Sequence, residues 1–263
     1  MSNKTTIVVV GGGAAGIPIA QELDKKLDPA RYSLTLVSET DYYRHLPASL
    51  RAIVTAEGNL EDQIALPYDK IYGKATNNGI GRVGTVQVGK VTSIEEKSNS
   101  HGYVVLEGNR RIEWNLLVIA TGSEWEGPLR WPNRRSLLKQ HLDNWRERFA
   151  TAKSVVLVGA GTVGSELAGE LRDFAPGAQV TVVQRGRLLL NSTYPDSFRQ
   201  RIARGLEDRG VRVLTGESIL NLSRAILDGT EGVIPGRKIK TANGVTLLAD
   251  LIVRVTKSFP SPG

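Results

Sequence analysis

Ile7-Val8-Val9-Val10-Gly11-Gly12-Gly13-Ala14-Ala15-Gly16 is the stretch around which the 263-residue chain is organised. Four apolar β-branched residues run straight into spaced glycines. The run is too short for a helix and reads as a strand buried on both faces. Gly11 permits a tight turn, Gly13 lets backbone approach a pyrophosphate, and Gly16 lets the next helix pack close to the strand. That helix is expected from Ala14 to Lys26, its N-terminal N–H groups and positive dipole end turned to the phosphates. A second strand, Ser33 to Val37, leads to Glu39, 23 residues after Gly16. A carboxylate roughly 20 residues beyond the motif is placed to read ribose hydroxyls.

One such motif is weak evidence, but the pattern returns. Val155-Val156-Leu157-Val158-Gly159-Ala160-Gly161-Thr162-Val163-Gly164 repeats it, 148 residues later counted from Gly11 to Gly159. Gln179 to Val183 supplies the strand after its helix. The offset fits a duplicated unit and not a short-period solenoid. The fold class expected is α/β: two Rossmann-like dinucleotide-binding units with parallel sheets.

The bulk numbers narrow the functions. The hydrophobic fraction of 40% and charged fraction of 23% are ordinary for a globular protein. No apolar run reaches the roughly 20 residues that span a bilayer. The N-terminus reads as lacking a signal peptide, since Ile7–Val10 is too short for an apolar core, so a cytoplasmic location is expected. The chain has no cysteine, which excludes thiol nucleophiles, thiolate metal sites and a redox-active pair. Its three histidines (His45, His101, His141) are scattered, so no metal site is expected and redox chemistry falls to a bound cofactor. The net charge is +7, and Arg130 to Lys153 holds seven basic residues against two acidic ones. That local excess fits either a solvated helix face or an anionic partner. No nucleic-acid partner is expected, because no stacking aromatics or recognition helix accompany it.

Between the two motifs, Ala48–Thr55 reads as a short helix carrying Arg51, and Pro67–Tyr72 as another with Pro67 at its first position. Gly84–Ile94, Tyr103–Leu106 and Arg110–Trp114 read as a three-stranded antiparallel meander, with Gly108-Asn109 as a hairpin turn. Leu116–Ala120 is a buried strand ending at Thr121-Gly122, where a ligand crevice is expected. Ser136 is expected to cap a helix whose Leu138, Leu142, Trp145 and Phe149 share one face. After strand Gln179–Val183 comes Gln184-Arg185-Gly186-Arg187, with no acidic residue. Arg185 and Arg187 could face a 2′-phosphate, which points to NADPH, while NADH with a neutral Gln184 stays open. Pro195–Arg209 reads as helix, and Val211–Leu214, Gly244–Leu248 and Leu251–Val255 as strands. The tail from Lys257 reads as unstructured.

Together these residues resemble the two-dinucleotide-binding flavoproteins, and within them the apoptosis-inducing-factor homologues, a group that includes ferroptosis suppressor protein. The resemblance rests on Val10–Gly16, Leu50-Arg51-Ala52, Leu66–Ile71, Ala120-Thr121-Gly122 and, most specifically, Gly159–Glu170. It implies that the first unit holds FAD through Gly11, Gly13, Ala14, Ala15, Gly16, Glu39, Ala120, Thr121 and Gly122, with Arg51 near the cofactor phosphates. It implies NADH or NADPH on Gly159, Gly161, Thr162, Val163, Gly164 and Arg185, with Glu166 near the nicotinamide as the catalytic candidate. The implied reaction passes hydride to flavin and then to a small-molecule acceptor such as a quinone. Hydride transfer needs two rings held in contact, which a cysteine-free chain can do. The units expected are 1–125 for FAD, a connector and helix over 126–152, 153–250 for NAD(P)H, and a truncated return strand and tail over 251–263. The family continues after such a strand with a carboxylate for the flavin ribityl chain and a covering domain. Their lack here implies a shortened member, and a weakly active or inactive nucleotide-binding remnant is the alternative.

Overall fold

A computed structural model describes residues 4–72, 83–227, 229–255 and 257–258. In chain order it begins with strand β1 (Thr5–Val10), helix α1 (Gly16–Lys26), β2 (Tyr32–Ser38) and β3 (Tyr42–Arg44). Helices α2 (Ser49–Val54) and α3 (Leu60–Ile64) follow, then β4 (Ala65–Pro67), β5 (Gly84–Val88), β6 (Val91–Ser98), β7 (His101–Leu106), β8 (Arg111–Trp114), β9 (Leu116–Ile119) and β10 (Glu124–Trp125). The second half runs α4 (Leu138–Thr151), β11 (Ser154–Val158), α5 (Thr162–Phe174), β12 (Gln179–Gln184), α6 (Asp196–Glu207) and β13 (Arg212–Thr215). It closes with α7 (Arg224–Leu227), β14 (Lys238–Lys240), β15 (Thr246–Leu248), β16 (Leu251–Arg254) and β17 (Lys257–Ser258).

Two four-stranded parallel sheets carry the fold, and they have one topology. The first has the order β5-β2-β1-β9 and the second β13-β12-β11-β16. In each, the strand before the glycine loop lies at the centre: Val10 pairs with Val37 and Ile119, Val158 with Val183 and Arg254. Alternation in β1 explains why both of its faces are apolar. Ile7 and Val9 join Leu34, Leu36 and Ala20 of α1 on one side, while Val8 and Val10 join Val37, Val104, Leu106 and Trp114 of the meander on the other. In the second sheet Val156, Val183 and Ile252 form one core with Ile226, Leu247 and Ala249.

Several sequence expectations are corrected. The Gly84–Ile94 segment is two strands, not one. Gly84–Val88 pairs parallel with β2, and the antiparallel meander is β6-β7-β8, starting at Val91. Apolar alternation is the same in both settings, so it could not separate them. The hairpin turn does form: Leu106 N donates to Arg110 O at 2.8 Å, and in the three-residue connection Glu107-Gly108-Asn109 both Gly108 and Asn109 take positive φ, 79° and 64°. Ser136 is not a cap; it lies within a 3-10 turn, Arg135–Leu137, that precedes α4. Pro67 ends β4 and only flanks the 3-10 turn Tyr68–Lys70. The Leu251–Arg254 strand, expected as a truncated return strand outside the 153–250 unit, pairs parallel with β11 and completes the second sheet, burying Leu251, Ile252 and Val253. Lys257–Ser258 of the expected unstructured tail pairs antiparallel with Glu124–Trp125, and residues 259–263 lie outside the described residues.

The chain forms two compact units that interleave in sequence. The first comprises 1–45, 62–122 and 132–137; the second comprises 46–61, 123–131 and 138–263. The segment with α2, expected within the first unit, clusters with the second, and so does α4 of the expected connector. The apolar stripe of α4 is core, with Leu138, Leu142, Trp145 and Phe149 all buried. Its basic neighbourhood is largely paired: Arg134 with Asp41 at 3.6 Å, Arg135 with Asp62 at 3.2 Å, and Arg146 with Glu61 at 2.9 Å.

Candidate functional site

The two glycine loops repeat one geometry residue by residue. Gly11 and Gly159 hold φ of +115° and +110°, a region closed to most side chains. Their amides donate to Val37 O at 2.8 Å and Val183 O at 2.9 Å. A Cβ on Gly11 would fall 2.1 Å from Ala120 O. One on Gly16 would fall 1.8 Å from Gly11 O, and one on Gly164 2.0 Å from Gly159 O. The first and third glycines are thus demanded by the protein's own packing. The middle ones are different. A Cβ on Gly13 or Gly161 would meet nothing within 4 Å, so the fold itself does not require glycine there.

What stands open in front of these glycines is a pair of helix N-termini. α1 starts after Ala15 and α5 after Gly161, each without a side-chain cap hydrogen bond and without an acidic residue in its first turn. By contrast α6 opens with Asp196. Uncapped N–H groups and the positive end of the dipole suit an anion. Ala14 and Ala15, and Thr162 and Val163, occupy the matching turns. Loop glycines that leave room, with unsatisfied donors behind them, fit dinucleotide pyrophosphates in both units.

Around the first loop, Glu39 follows the end of β2 and is exposed; its Oε1 accepts from Asn133 Nδ2 at 2.8 Å. Ala120 N donates to Val10 O at 2.7 Å, so Thr121 and Gly122 leave the sheet beside the loop. Tyr68, whose role the sequence did not disclose, pins the loop: its hydroxyl donates to Gly12 O at 2.8 Å and lies 2.9 Å from Ser38 Oγ. No periodic signal marks it, since it sits in a 3-10 turn.

Around the second loop, Gln184 is the last residue of β12. Its Oε1 accepts from Ala160 N at 3.1 Å and its Nε2 donates to Leu188 O at 3.4 Å, so its amide ties the glycine loop to the loop after β12. Arg185 beside it is exposed. Arg187 pairs with Asp196 at 3.4 Å. Glu166 lies on α5 with its carboxyl pushed up, first by burial and then by the Glu170 charge, against the opposing pull of Arg51. Arg51 itself stands in the second unit, on α2, where its guanidinium engages Glu170 and lies over the Phe174 ring at 5.3 Å.

Comparison with known proteins gives this geometry its family. The pattern of the family described as pyridine nucleotide-disulphide oxidoreductase matches residues 5–256. The chain belongs to that family. It is 37% identical over 210 residues to an FAD-dependent oxidoreductase of Flammulina velutipes, covering 80% of this chain and 60% of the relative. It is 29% identical over 266 residues to apoptosis-inducing factor homolog B of Dictyostelium discoideum, covering 96% and 63%. Against ferroptosis suppressor protein 1 of Xenopus laevis it is 29% identical over 228 residues, covering 85% and 55%. The chain thus spans about 60% of the length of the first two relatives. A NAD-dependent persulfide reductase from A. fulgidus shares the fold, with a TM-score of 0.67 at 22% identity over 96% of this chain and 46% of that one. NDH2 from Plasmodium falciparum, solved in complex with NADH, matches with a TM-score of 0.68 at 14% identity over 97% and 55%. The disulphide of the family's description has no counterpart here, because the chain carries no cysteine.

Proposed function

We propose that this chain acts as an FAD-dependent NAD(P)H oxidoreductase, passing hydride from a pyridine nucleotide to flavin and on to a quinone or another small-molecule acceptor. The observation that carries the reading is the pair of middle glycines, Gly13 and Gly161, facing open space in front of uncapped helix N-termini. In this reading Gly11, Gly13 and Gly16 with the first turn of α1 hold the FAD pyrophosphate, and Glu39 takes the adenosine ribose. Ala120, Thr121 and Gly122 flank the same cofactor. Gly159, Gly161, Thr162, Val163 and Gly164 hold the pyridine nucleotide, Arg185 meets its 2′-phosphate, and Glu166 lies near the nicotinamide.

Bound flavin supplies the hydride-accepting chemistry. The chain's own contribution is binding and orientation, which bring two rings into productive contact. The FAD-dependent relatives support the first assignment and the NADH complex of a structural neighbour supports the second. We place the chain in the cytoplasm in this reading; among the described residues no helix is long and apolar enough to cross a membrane. The test is reconstitution of the purified protein with FAD, followed by anaerobic addition of NADPH or NADH. Bleaching of the bound-flavin absorbance, then its recovery on adding a soluble quinone, is the expected result. Stoichiometric FAD that neither coenzyme reduces would overturn the proposed reaction.

A further inference from the structure

A slot of about 410 Å³ opens between α5 and α6 of the second unit. Small-molecule pockets run from roughly 300 to 1,000 Å³. A single helical turn, about 5 Å tall and 10 Å across, would already fill it, so the slot is sized for a small molecule and not for a partner helix.

Its floor carries two glycines, Gly169 and Gly205, in the interiors of the two helices. Glycine weakens a helix interior relative to alanine. Here packing gives no reason for it: a Cβ on either residue would meet nothing within 4 Å. Leu190, Ile202 and Leu206 make the walls apolar. At the lip, Tyr194 and Phe198 are 38% and 39% exposed, their rings 5.6 Å apart.

The charge is placed unevenly. Arg201 lines the slot and makes no hydrogen bond or ion pair among the described residues. Arg209 lines it too, with only a loose approach to Asp173 at 3.9 Å. Glu166 sits toward the glycine-loop end, where it repels an anion. Thr162 and Gly169 are seven residues apart on α5, which gives the trough a length of about 10 Å.

We infer that this slot binds an amphiphilic monoanion, a medium-chain alkyl carboxylate. Its chain lies on the Gly169–Gly205 floor, and its head turns from Glu166 toward Arg201 and Arg209. The inference does not rest on the nucleotide assignment, because no nucleotide is needed for it.

The experiment is calorimetric titration of the full chain, without nucleotide, using decanoate and, separately, 1-decanol. Saturable one-to-one binding of decanoate, tighter than that of decanol, is expected. Gly205→Leu fills the floor with a better helix former; it should weaken decanoate at least tenfold without lowering the thermal midpoint. Arg201→Gln with Arg209→Gln should weaken decanoate about fivefold, the scale of exposed ion pairs, and leave decanol unchanged. Equal binding of acid and alcohol, or decanoate binding untouched by Gly205→Leu, overturns the inference. So does a failure of decanoate to bind while the chain forms a dimer that Gly205→Leu dissociates, which would give the slot to a second copy. NADPH titration of the same variants reads the nucleotide assignment separately.

Discussion

Arg51 and Glu170, 119 residues apart in sequence, meet through two side-by-side hydrogen bonds: Nε donates to Oε2 at 3.0 Å and Nη2 to Oε1 at 3.1 Å. The pair ties α2 to α5. It also places an opposing charge near Glu166, whose carboxyl is raised by burial and by Glu170 and lowered by Arg51. Arg51→Gln should therefore push the Glu166 carboxyl further up, read from carboxyl carbon shifts in an NMR titration. A raised carboxylate costs stability once pH exceeds the unfolded value of 4.5. Glu166→Gln should accordingly stabilise the protein at neutral pH, and the gain should vanish as pH falls below that value. A gain that persists in acid would refute the linkage.

The glycines divide into two experimental classes. Gly13→Val meets open space, so the thermal midpoint should stay within a few degrees while bound FAD is lost. Gly11→Ala has to place a methyl against Ala120 O at φ +115°. It should destabilise by about 2–4 kcal/mol, the range of backbone strain combined with overpacking. Urea midpoints paired with flavin occupancy check both, and a folded Gly13→Val that keeps its full flavin would contradict the FAD assignment.

Coenzyme choice should turn on Arg185. Gln184 spends its amide on Ala160 N and Leu188 O, so the proposed function gives the ribose phosphate to its exposed neighbour. Arg185→Ala should weaken NADPH by about 1–2 kcal/mol, roughly five- to thirtyfold, as expected for one charge-assisted contact, and leave NADH nearly unchanged. Equal losses for the two coenzymes, measured by equilibrium titration, would move the 2′-phosphate away from Arg185.

Asp250 should behave as a structural acid. It is 5% exposed, and its carboxylate accepts from Gly236 N at 2.7 Å and Lys153 N at 3.0 Å. Burial pushes its carboxyl up, but the backbone donors of Gly236, Lys153 and Ser154 outweigh that and hold it below 3.8. Because the folded value is depressed, its contribution is present above pH 3.8 and is lost as pH falls through the folded value. Asp250→Asn turns an amide against one of those N–H groups and should cost about 2–3 kcal/mol at pH 7. The gap in denaturant midpoint between wild type and variant should narrow as pH falls below 3.8; a gap that stays constant through the acid range would disprove the linkage.

The duplicated α/β frame was legible because its signal is local: a β-branched run, a glycine loop and a helix within about twenty residues. The presence of a helix after each loop, the two middle glycines and the Gly108-Asn109 turn are properties of short segments, although α1 begins at Gly16 and not at the expected Ala14. What stayed hidden was non-local. The alternation in Gly84–Val88 does not say which neighbour the strand takes. Nothing near Tyr68 announces that its hydroxyl secures Gly12 O, and nothing near Asp250 announces that it anchors Lys153 N. Arg51 was visible as a cation beside an apolar helix face, but its partner lies on an element formed more than a hundred residues later.

The interleaving of the two units bears on how the protein is made. Residues 46–61, with α2 and Arg51, belong to the second unit, yet they leave the ribosome about a hundred residues before the strand that precedes Gly159. The first unit also claims 132–137 after the chain has already crossed over. Neither Rossmann unit is a contiguous cassette. A gene fragment starting at Leu138 would yield a second sheet without α2, leaving Glu170 without its guanidinium, and a shuffled copy of either half would inherit the same gap.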